Sequence, residues 1–455
     1  MELPKSAKLL DYSMPRETLA GELFKQIEIQ PQGGQSSVTV TTAGGQTIQL
    51  SLQTGSSWTA YYDVLSYLMT PGLAGASRYN FLYNNLPFQS INLFDSATST
   101  SLFQMDAFLQ FYLDTVSQVA VHFSDYIQRG GARDGEGCLQ APINPSRYLG
   151  TTADTNGCRY NGTVLGYPLL ERNYLIRSFS GVANTATPVV RVNFKLNSIS
   201  HSWWSDGVTI PLANQLTLRL SFAPATSYGF TSTNEEDMTA TPAAITNSVV
   251  FSDITYFQTF DETPSIITAN VARMNQPNGF EVYSSYVDAS SQNFTSVNSV
   301  SKEYKASAAL GRVLNRIYTV TYPSTQTIQN TYNKSNVSGV KYSSYYTLLN
   351  SKRIQNQNIQ VSTDQDWFMF KEKIDQNGCA ILSVSDYKYN FFVCDVFSGQ
   401  MINDVSLTSS GIPTNVEQTY RFQGTCPGSL SLNVYQFAVY LQAFRITKSG
   451  IFVSA

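Results

Sequence analysis

The chain has few charged residues for its length. Lys, Arg, Asp and Glu make up 13% of its 455 residues, about half the share of roughly 25% that is usual in globular proteins. The hydrophobic fraction of 42% is large enough for packed cores, so the low charge does not indicate disorder. Uncharged polar residues and Tyr therefore cover much of the surface, which suits permanent contacts between subunits. The formal net charge of −3 argues against a protein that mainly holds nucleic acid through its phosphates.

Long apolar runs are also missing. No run approaches the ~18 apolar residues of a membrane-spanning helix, and the N-terminal segment lacks the apolar stretch of a secretory signal. Cysteines are few and form no C-x-x-C pair; they are Cys138, Cys158, Cys379, Cys394 and Cys426. We expect them to be mostly reduced, in a protein made in a reducing compartment. A disulfide between Cys138 and Cys158 remains an alternative, but two free thiols are favoured.

Residues suited to acid–base catalysis are scarce, because the chain has only two histidines. His122 lies in an apolar run, which favours a core or interface position. His201 precedes Trp203-Trp204, a pair that could stack on a sugar or a base. An aromatic plug at a strand end, or a contact with a neighbouring subunit, is favoured over that role. No nucleophile elbow, phosphate-binding loop, zinc-binding helix motif or EF-hand loop occurs. We predict that the protein is not an enzyme and has no catalytic, cofactor-binding or metal site.

Two further patterns favour ordinary structural explanations. The acidic triplet Glu235-Glu236-Asp237 could bind a divalent cation, but a solvated helix start is favoured because acidic residues stabilise helix N-termini. Four asparagines satisfy the N-x-[ST] pattern, which is frequent in a chain this rich in Asn, Ser and Thr; they are Asn161, Asn293, Asn333 and Asn336. Without secretion, this pattern predicts no glycosylation.

Strict alternation of apolar and polar residues is the strongest pattern in the chain. A period of two places all apolar side chains on one face of a β-strand. The alternation is clearest in Val190–Leu196, Leu216–Phe222 and Leu430–Leu441. Since single cores stop growing at roughly 250–300 residues, we predict two antiparallel β units in tandem. Each unit should close with long strands that bury one face and expose the other to solvent.

Breaks in the pattern divide the chain. We predict an N-terminal arm at 1–22, a first β unit at 23–235, a linker at 236–247 and a second β unit at 248–455. The second unit is expected to begin with a strand at Val249–Phe260. Within the first unit, residues 128–170 are rich in Gly and Asn and lack periodicity, which predicts a long exposed loop.

Local patterns predict three elements of the first unit. Val38–Val40 and Ile48–Leu52 alternate on either side of Ala43-Gly44-Gly45, which indicates a β-hairpin. Thr59–Met69 is predicted as one strand. Apolar residues at three- and four-residue spacings from Leu102 predict a helix within Leu102–Ile127, with a change to strand near Ser117.

Four segments carry a resemblance to a known family. They are Ala60–Leu68, Ser101–Tyr112, Ile210-Pro211-Leu212 with Leu216–Leu220, and Ser344–Ile354. They resemble, in this order, four segments of double jelly-roll major capsid proteins. The first three are the Asp-then-Ser-Tyr-Leu strand near the start of the first jelly roll, its characteristic helix, and the Pro-Leu turn into its last strand. The fourth is the segment that opens the later strands of the second jelly roll. This is the lineage of tailless icosahedral DNA viruses, which includes adenovirus hexon, virophage and polinton-like capsid proteins. The present chain departs from the pattern at Val64, where the family often has a proline.

The resemblance implies an all-β fold of two tandem eight-stranded antiparallel jelly rolls with short helices in the loops. It implies a structural major capsid protein that forms pseudo-hexagonal homotrimeric capsomers of an icosahedral shell. The expected partners are further copies of the chain, penton and minor capsid proteins and an internal membrane where the virus has one, without sequence-specific nucleic-acid binding. The expected location is the virion capsid, assembled inside the host cell. The alternative is a soluble β-sandwich module that binds a glycan or receptor, such as a viral fibre head.

Overall fold

The computed structural model describes only part of the chain. The described residues are 23–71, 78–82, 87–106, 108–109, 112, 116, 158–159, 176–180, 190–225, 229–232, 243–244, 248–324, 342–361, 392–397 and 411–454. The predicted arm at 1–22 lies outside them. So do the predicted loop at 128–170, apart from residues 158–159, and the predicted linker at 236–247, apart from residues 243–244.

The described residues before Val249 are mainly extended. Their strands are β1 (Phe24–Ile29), β2 (Ser37–Val40), β3 (Thr47–Leu52), β4 (Gly55–Thr59), β5 (Val64–Pro71), β6 (Arg78–Leu82), β7 (Phe88–Asp95), β8 (Ser101–Met105), β9 (Cys158–Arg159), β10 (Ile176–Ser180), β11 (Val190–Lys195), β12 (Thr209–Leu212), β13 (Leu216–Phe222), β14 (Gly229–Ser232) and β15 (Ala243–Ala244). A short helix, α1 (Trp203–Asp206), precedes β12, and 3-10 turns occupy Gln32–Gly34, Ala60–Tyr62 and Leu196–Ser198.

The rest of the described chain contains longer strands. The elements are β16 (Val249–Asp261), α2 (Pro264–Met274), β17 (Phe280–Ala306), β18 (Arg312–Pro323), β19 (Ser344–Leu349), β20 (Lys352–Arg353), β21 (Ile359–Gln360), β22 (Phe392–Val396), β23 (Ile412–Pro413), β24 (Gln418–Thr447) and β25 (Gly450–Val453). The predicted all-β class with short helices in the connections is confirmed.

Two sheets form the first sandwich. One has the order β11-β5-β16-β4-β12, with β1 and β2 also paired to β16; the other has the order β3-β13-β7-β8. Their inner faces share one apolar core, in which the rings of Phe222 on β13 and Phe251 on β16 lie 4.9 Å apart. A separate sheet, β15-β14-β6-β10-β9, is built from segments that connect these strands.

Strand β13 follows the predicted alternation, with one exception. Leu216, Leu218, Leu220 and Phe222 are fully buried, and Arg219 is exposed. Thr217, expected to face solvent, is only 8% exposed, and its hydroxyl lies 2.7 Å from that of Ser96. The reason is that β13 is an interior strand between β3 and β7, and the turn after β7 covers its outer face.

The predicted hairpin at Val38–Leu52 is wrong. Strands β2 and β3 both form, but β2 pairs with β16 and β3 pairs with β13 in the opposite sheet. The connection between them crosses from one sheet to the other. Gly44 has φ +67° there, and a Cβ at this position would lie 2.5 Å from the nitrogen of Pro224. Glycine is therefore required for the crossing, although the same residues also suit a hairpin turn.

Two other predicted elements need correction. The single strand predicted at Thr59–Met69 is broken by the 3-10 turn at Ala60–Tyr62 and continues as β5. Leu102 and Met105, assigned to a helix, lie in β8, because this segment pairs with β7. Residues 109, 112 and 116 are helical and buried, so the three- and four-residue spacing holds only beyond β8.

The boundary between the two units also differs from the prediction. Strand β16, expected to open the second unit, pairs with β1, β2, β4 and β5 and completes the first sandwich. Helix α2 then leads to β17. Pro264 lies in its first turn, where proline is favoured because the backbone N–H at this position has no hydrogen-bond partner within the helix. The second sandwich therefore begins at β17 rather than at residue 248.

The second sandwich is organised by one long, folded ribbon. Strands β17 and β24 pair from Phe280 opposite Ile446 to Ala306 opposite Gln418, with register shifts between Phe294 and Ser299. The ribbon bends at these shifts and doubles back. As a result, the hydroxyl of Tyr304 donates to Asp288 Oδ2 at 2.7 Å, although the two residues are 16 positions apart. Strands β18 and β22 extend one layer, and β19 extends the other.

The C-terminal half of β24 is buried on both faces. Val434, Ala438 and Tyr440 belong to the core of the second sandwich. Phe437 and Val439, which alternate with them, belong to the core of the first sandwich. The prediction that the C-terminal strand exposes one face to solvent is therefore wrong, because that face packs against the first sandwich.

Candidate functional site

The predicted aromatic pair lies inside the molecule. Ser202 caps α1 by accepting from the backbone N–H of Ser205, and the Ser205 hydroxyl lies 2.9 Å from the backbone nitrogen of Ser202. This turn directs Trp203 and Trp204 into the core, where both are fully buried. Neither ring can stack on a sugar or a base, so that predicted alternative is wrong; the pair packs on helix α1 inside the core rather than at a strand end.

Both tryptophans have defined partners. The ring of Trp203 stacks on that of Trp58 in the first sandwich at 6.4 Å and contacts Phe444 of the second sandwich at 5.1 Å. The indole N–H of Trp204 donates to the hydroxyl of Tyr256 at 3.2 Å. Trp203 therefore packs where the two sandwiches meet, and Trp204 lies within the first.

His201 also lies at this boundary. Its Nε2 is 3.2 Å from the hydroxyl of Tyr318 on β18 of the second sandwich. The aromatic rings around it continue the contact: Tyr112 packs on Phe437 with centroids 5.2 Å apart, and Phe108 packs on Tyr435 at 5.7 Å. The region where the two sandwiches meet, here called the junction, is therefore apolar and aromatic at its centre.

Hydrogen bonds to carboxylates fix the junction at two further places. Asp206, at the end of α1, accepts from the backbone N–H of Ser285 at 2.6 Å and from the hydroxyl of Ser284 at 2.9 Å, both on β17. Burial raises the pKa of the Asp206 carboxyl above its ordinary value, although these donors act in the opposite direction. Asp95, at the end of β7, accepts from the backbone N–H of Ile451 at 2.8 Å.

Neutral hydrogen bonds complete the contact beside Asp95. The hydroxyl of Thr98 donates to the carbonyl of Ile451 at 2.7 Å, so Ile451 is held through both its backbone groups. The side-chain amide of Asn214 donates to the carbonyl of Ser449 at 2.7 Å. Directional bonds at the rim of an apolar contact fix its geometry, because each lost bond leaves a polar group unsatisfied.

A third buried carboxylate organises the first sandwich itself. Asp63, in the segment that resembles the capsid family, accepts from the indole N–H of Trp58 at 2.7 Å, the hydroxyl of Tyr256 at 2.6 Å and the backbone N–H of Thr259 at 2.7 Å. Burial raises the pKa of Asp63 to about 8, outweighing the effect of these donors. The site holds strands together and presents no group to solvent.

Several predicted residues lie outside the described part of the chain. They are His122, Cys138, Cys379, Asn161, Asn333, Asn336 and the triplet Glu235-Glu236-Asp237. Cys158 begins β9, while Cys394 and Cys426 are buried. Asn293 lies on exposed β17, and its amide donates to Asn433 Oδ1 at 2.6 Å.

Among the described residues, no group of three His, Cys, Asp or Glu side chains could hold a metal ion. No described helix is long and apolar enough to cross a membrane.

The two carboxylates that fix the junction were not singled out from the sequence. Asp95 and Asp206 each stand among apolar or uncharged residues in a chain with little charge, which is a weak signal of a structural role. Their partners lie up to 356 positions away in the sequence. No local pattern could have identified those pairs.

Comparison with known proteins identifies the fold. No protein-family model matches the chain, and no curated protein matches its sequence. A chain in the 3.5 Å cryo-EM structure of the Sputnik virophage is similar with TM-score 0.56 and 12% identity, covering 100% of this chain and 92% of that one. A chain of the quasi-atomic model of the PBCV-1 virus capsid gives TM-score 0.53 and 10% identity, covering 95% of this chain and 97% of that one.

The fold is therefore a double jelly roll. In both sandwiches the strands follow the jelly-roll order, in which a long antiparallel ribbon folds over so that its two ends lie in opposite sheets. The similarity extends over nearly the entire chain, so both jelly rolls and the connection between them correspond.

Proposed function

We propose that the chain is a structural major capsid protein that forms homotrimeric, pseudo-hexagonal capsomers of an icosahedral DNA virus shell. The observation on which this proposal rests is the junction. Its apolar centre and the hydrogen bonds to Asp95 and Asp206 hold two similar sandwiches in one fixed arrangement. The proposal is supported by the double jelly-roll fold, which a chain of the PBCV-1 capsid also has.

The geometry suits a shell tile. Three copies of a chain with two similar sandwiches place six similar units around a ring, and closed rings are the common form of symmetric oligomers. Such a ring buries the sides of every copy. The low charge of the chain, 13%, fits these contacts because unpaired charge is costly to bury at an interface.

The glycan-binding alternative loses its main support. Trp203 and Trp204 were the residues suited to stack on a sugar, and both are fully buried. We therefore favour the capsid role and propose no enzymatic activity or cofactor.

The proposed partners follow from the role. They are neighbouring capsomers, penton and minor capsid proteins and an internal membrane where the virus has one. Sequence-specific binding of nucleic acid is not proposed. The proposed location is the virion capsid, with assembly inside the host cell.

Native mass spectrometry tests this function. The purified protein should show a mass of about three times the chain mass of 50.4 kDa, and electron microscopy of concentrated samples should show sheets or shells. A protein that stays monomeric at every concentration and binds a glycan array would contradict the proposal and favour the binding module.

A further inference from the structure

The exposed large apolar side chains of the first sandwich lie at one end. Within the described residues they are Leu23, Phe24, Tyr62 and Val271. Phe24 opens β1, and its ring lies 4.9 Å from that of Tyr62, in the turn before β5. Val271 is on α2, which follows the last residue of β16, and Leu23 N lies 3.4 Å from the Thr263 hydroxyl in that connection. These residues therefore surround the point where β16 ends.

The exposed large apolar side chains of the second sandwich also share one end. In the described part they are Tyr283, Leu310, Val416, Phe452 and Val453. Because the β17–β24 ribbon is folded, both ends of both strands lie together, opposite the bend. The backbone N–H of Ala309 donates to the carbonyl of Thr414 at 2.8 Å, which joins the turn before β18 to the segment before β24.

The two sets belong to the same end of the molecule. Helix α2 connects the end of β16 directly to the start of β17. Turns of the first sandwich reach the C-terminal hairpin of the second through the Thr98–Ile451 and Asn214–Ser449 hydrogen bonds. The nine residues define one surface, here called the apolar end.

The opposite end of the second sandwich has a different character. At the ribbon bend the exposed residues of β17 are uncharged and polar; they include Gln292, Asn293, Thr295, Ser296 and Asn298. Leu310 and Val416 at the apolar end are 61% and 63% exposed. Clustered exposed apolar residues mark an interaction surface, since isolated ones are ordinary.

The apolar end contains a cavity of about 290 Å³. Its walls include Tyr283, Leu310, Val313 and Pro413, and Glu281 and Arg312 contribute charge. Sites for drug-sized ligands usually measure about 300–1,000 Å³. A cavity at the lower limit of this range, open beside exposed leucine and valine, suits the side chains of a peptide segment.

The segment that leads into this end has matching chemistry. Residues 1–22 join the described chain at Leu23, within the apolar end. They contain the apolar residues Leu3, Leu9, Leu10, Met14 and Leu19, which match the apolar walls of the cavity.

The segment is also long enough to cross the end. Its 22 residues span at most about 70 Å when extended. A compact protein of 455 residues has a radius of gyration of about 22 Å, so the extended segment can cross one end of it. Pro4 and Pro15 favour an extended path over a helix.

We propose that residues 1–22 of the same chain dock on the apolar end and place Leu9-Leu10 in the cavity. The docked segment covers exposed apolar side chains of this end and fills the cavity with leucine side chains. This contact lies within one chain and does not depend on the number of chains in a capsomer.

Limited trypsin digestion of the full-length protein tests the docking. Lys5, Lys8 and Arg16 are the cleavage sites in the segment, and docking should slow their cleavage.

Two variants each remove one side of the proposed contact. Leu310→Ser removes an exposed apolar side chain of the apolar end that does not support the core, and Leu10→Ser removes an apolar side chain of the segment. Each should speed cleavage of the segment by about tenfold, as the loss of one buried apolar side chain predicts. Gln292→Ala, at the polar bend, should leave the rate unchanged. Equal rates in all four proteins would overturn the proposal.

A cysteine pair identifies the occupant. In the Leu9→Cys, Leu310→Cys double variant, oxidation should give a cross-linked species that migrates as a single chain on a denaturing gel without reductant. A band of two chains would overturn the intrachain contact and identify the segment of a neighbouring copy as the occupant. The absence of both the one-chain and the two-chain cross-linked species would also contradict the proposal, because it would show that residues 1–22 do not contact the apolar end.

Discussion

Asp206 of the first sandwich accepts a hydrogen bond of 2.6 Å from the backbone N–H of Ser285 in the second. Ser285 lies on β17, which pairs with β24 in the described residues. The N–H of Ser285 points away from β24, and Asp206 accepts its hydrogen bond there. An edge N–H without a partner would be open to pairing with another chain. Asp206 thus joins the sandwiches and also protects a strand edge.

Replacement of Asp206 by Asn should weaken the junction. The amide oxygen of Asn can replace Oδ2, which accepts from both Ser284 and Ser285. Its NH2 group replaces Oδ1 and cannot accept the 3.3 Å hydrogen bond from the Ser285 hydroxyl. This loss should cost about 1–3 kcal/mol of unfolding free energy. Differential scanning calorimetry should show a broader transition as the sandwiches unfold less cooperatively. Glu262→Gln is the control, because its exposed ion pair with Lys25 contributes little. Equal transitions for both variants would show that the Asp206 bonds do not couple the sandwiches.

Asp63 should make stability depend on pH. Its folded-state pKa of about 8 lies above the ordinary value of 3.8, so the folded protein binds this proton more tightly than the unfolded chain. The contribution of Asp63 to stability is therefore complete below pH about 4 and decreases as pH rises to about 8. Urea unfolding across this range should show the decrease in the wild type.

Asp63→Asn serves as the comparison for that series. An amide does not titrate, so the variant should be less stable overall but lack this component of the pH dependence. The same slope in both proteins would mean that Asp63 keeps one protonation state throughout.

Leu218 and Thr217 should differ in the size of their effects. Leu218→Ala leaves a cavity in the first core and should cost about 2–5 kcal/mol. Thr217→Ala removes the hydroxyl bonded to Ser96 and should cost about 1 kcal/mol, more than an exposed threonine would. Chemical unfolding of both variants measures the difference. A negligible effect of Thr217→Ala would indicate that the Ser96 contact contributes nothing.

The adjacent tryptophans form a matched pair. Both Trp203→Phe and Trp204→Phe remove part of a buried ring, but only Trp204 donates its indole N–H, to Tyr256. The indole nitrogen of Trp203 has no hydrogen-bond partner among the described residues. Trp204→Phe should therefore cost about 1 kcal/mol more than Trp203→Phe in thermal or chemical unfolding. The reverse order would mean that ring packing outweighs the hydrogen bond.

The parts of the fold that depend on near neighbours were predictable. The alternation in Leu216–Phe222 identified β13 and its buried face, because period two follows from strand geometry alone. The turn at Gly44-Gly45 shows the limit of such patterns. Glycines that suit a hairpin also suit a crossing between sheets, and only the distant partners β16 and β13 decide between them.

The candidate site was less predictable than the fold. Trp203-Trp204 was recognised as an aromatic pair, but its burial depends on Trp58 and Phe444, which are far away in the sequence. The second buried face of β24 was missed for a similar reason. Its alternating residues are typical of a strand with one solvent-exposed face. That face is buried only because the first sandwich packs against it.

The folded ribbon has a consequence for the order of synthesis. Every residue of β24, Gln418–Thr447, is translated after the strands with which it pairs, β17, β18 and β19. Because β24 supplies side chains to both cores, neither core can close fully until β24 has left the ribosome. Its pairing partners therefore wait for a strand that is translated later, and long-range pairing of this kind makes folding slow. During that interval the unpaired edges of β17 and β18 are accessible, so the nascent chain is most prone to wrong pairing with other chains before β24 emerges.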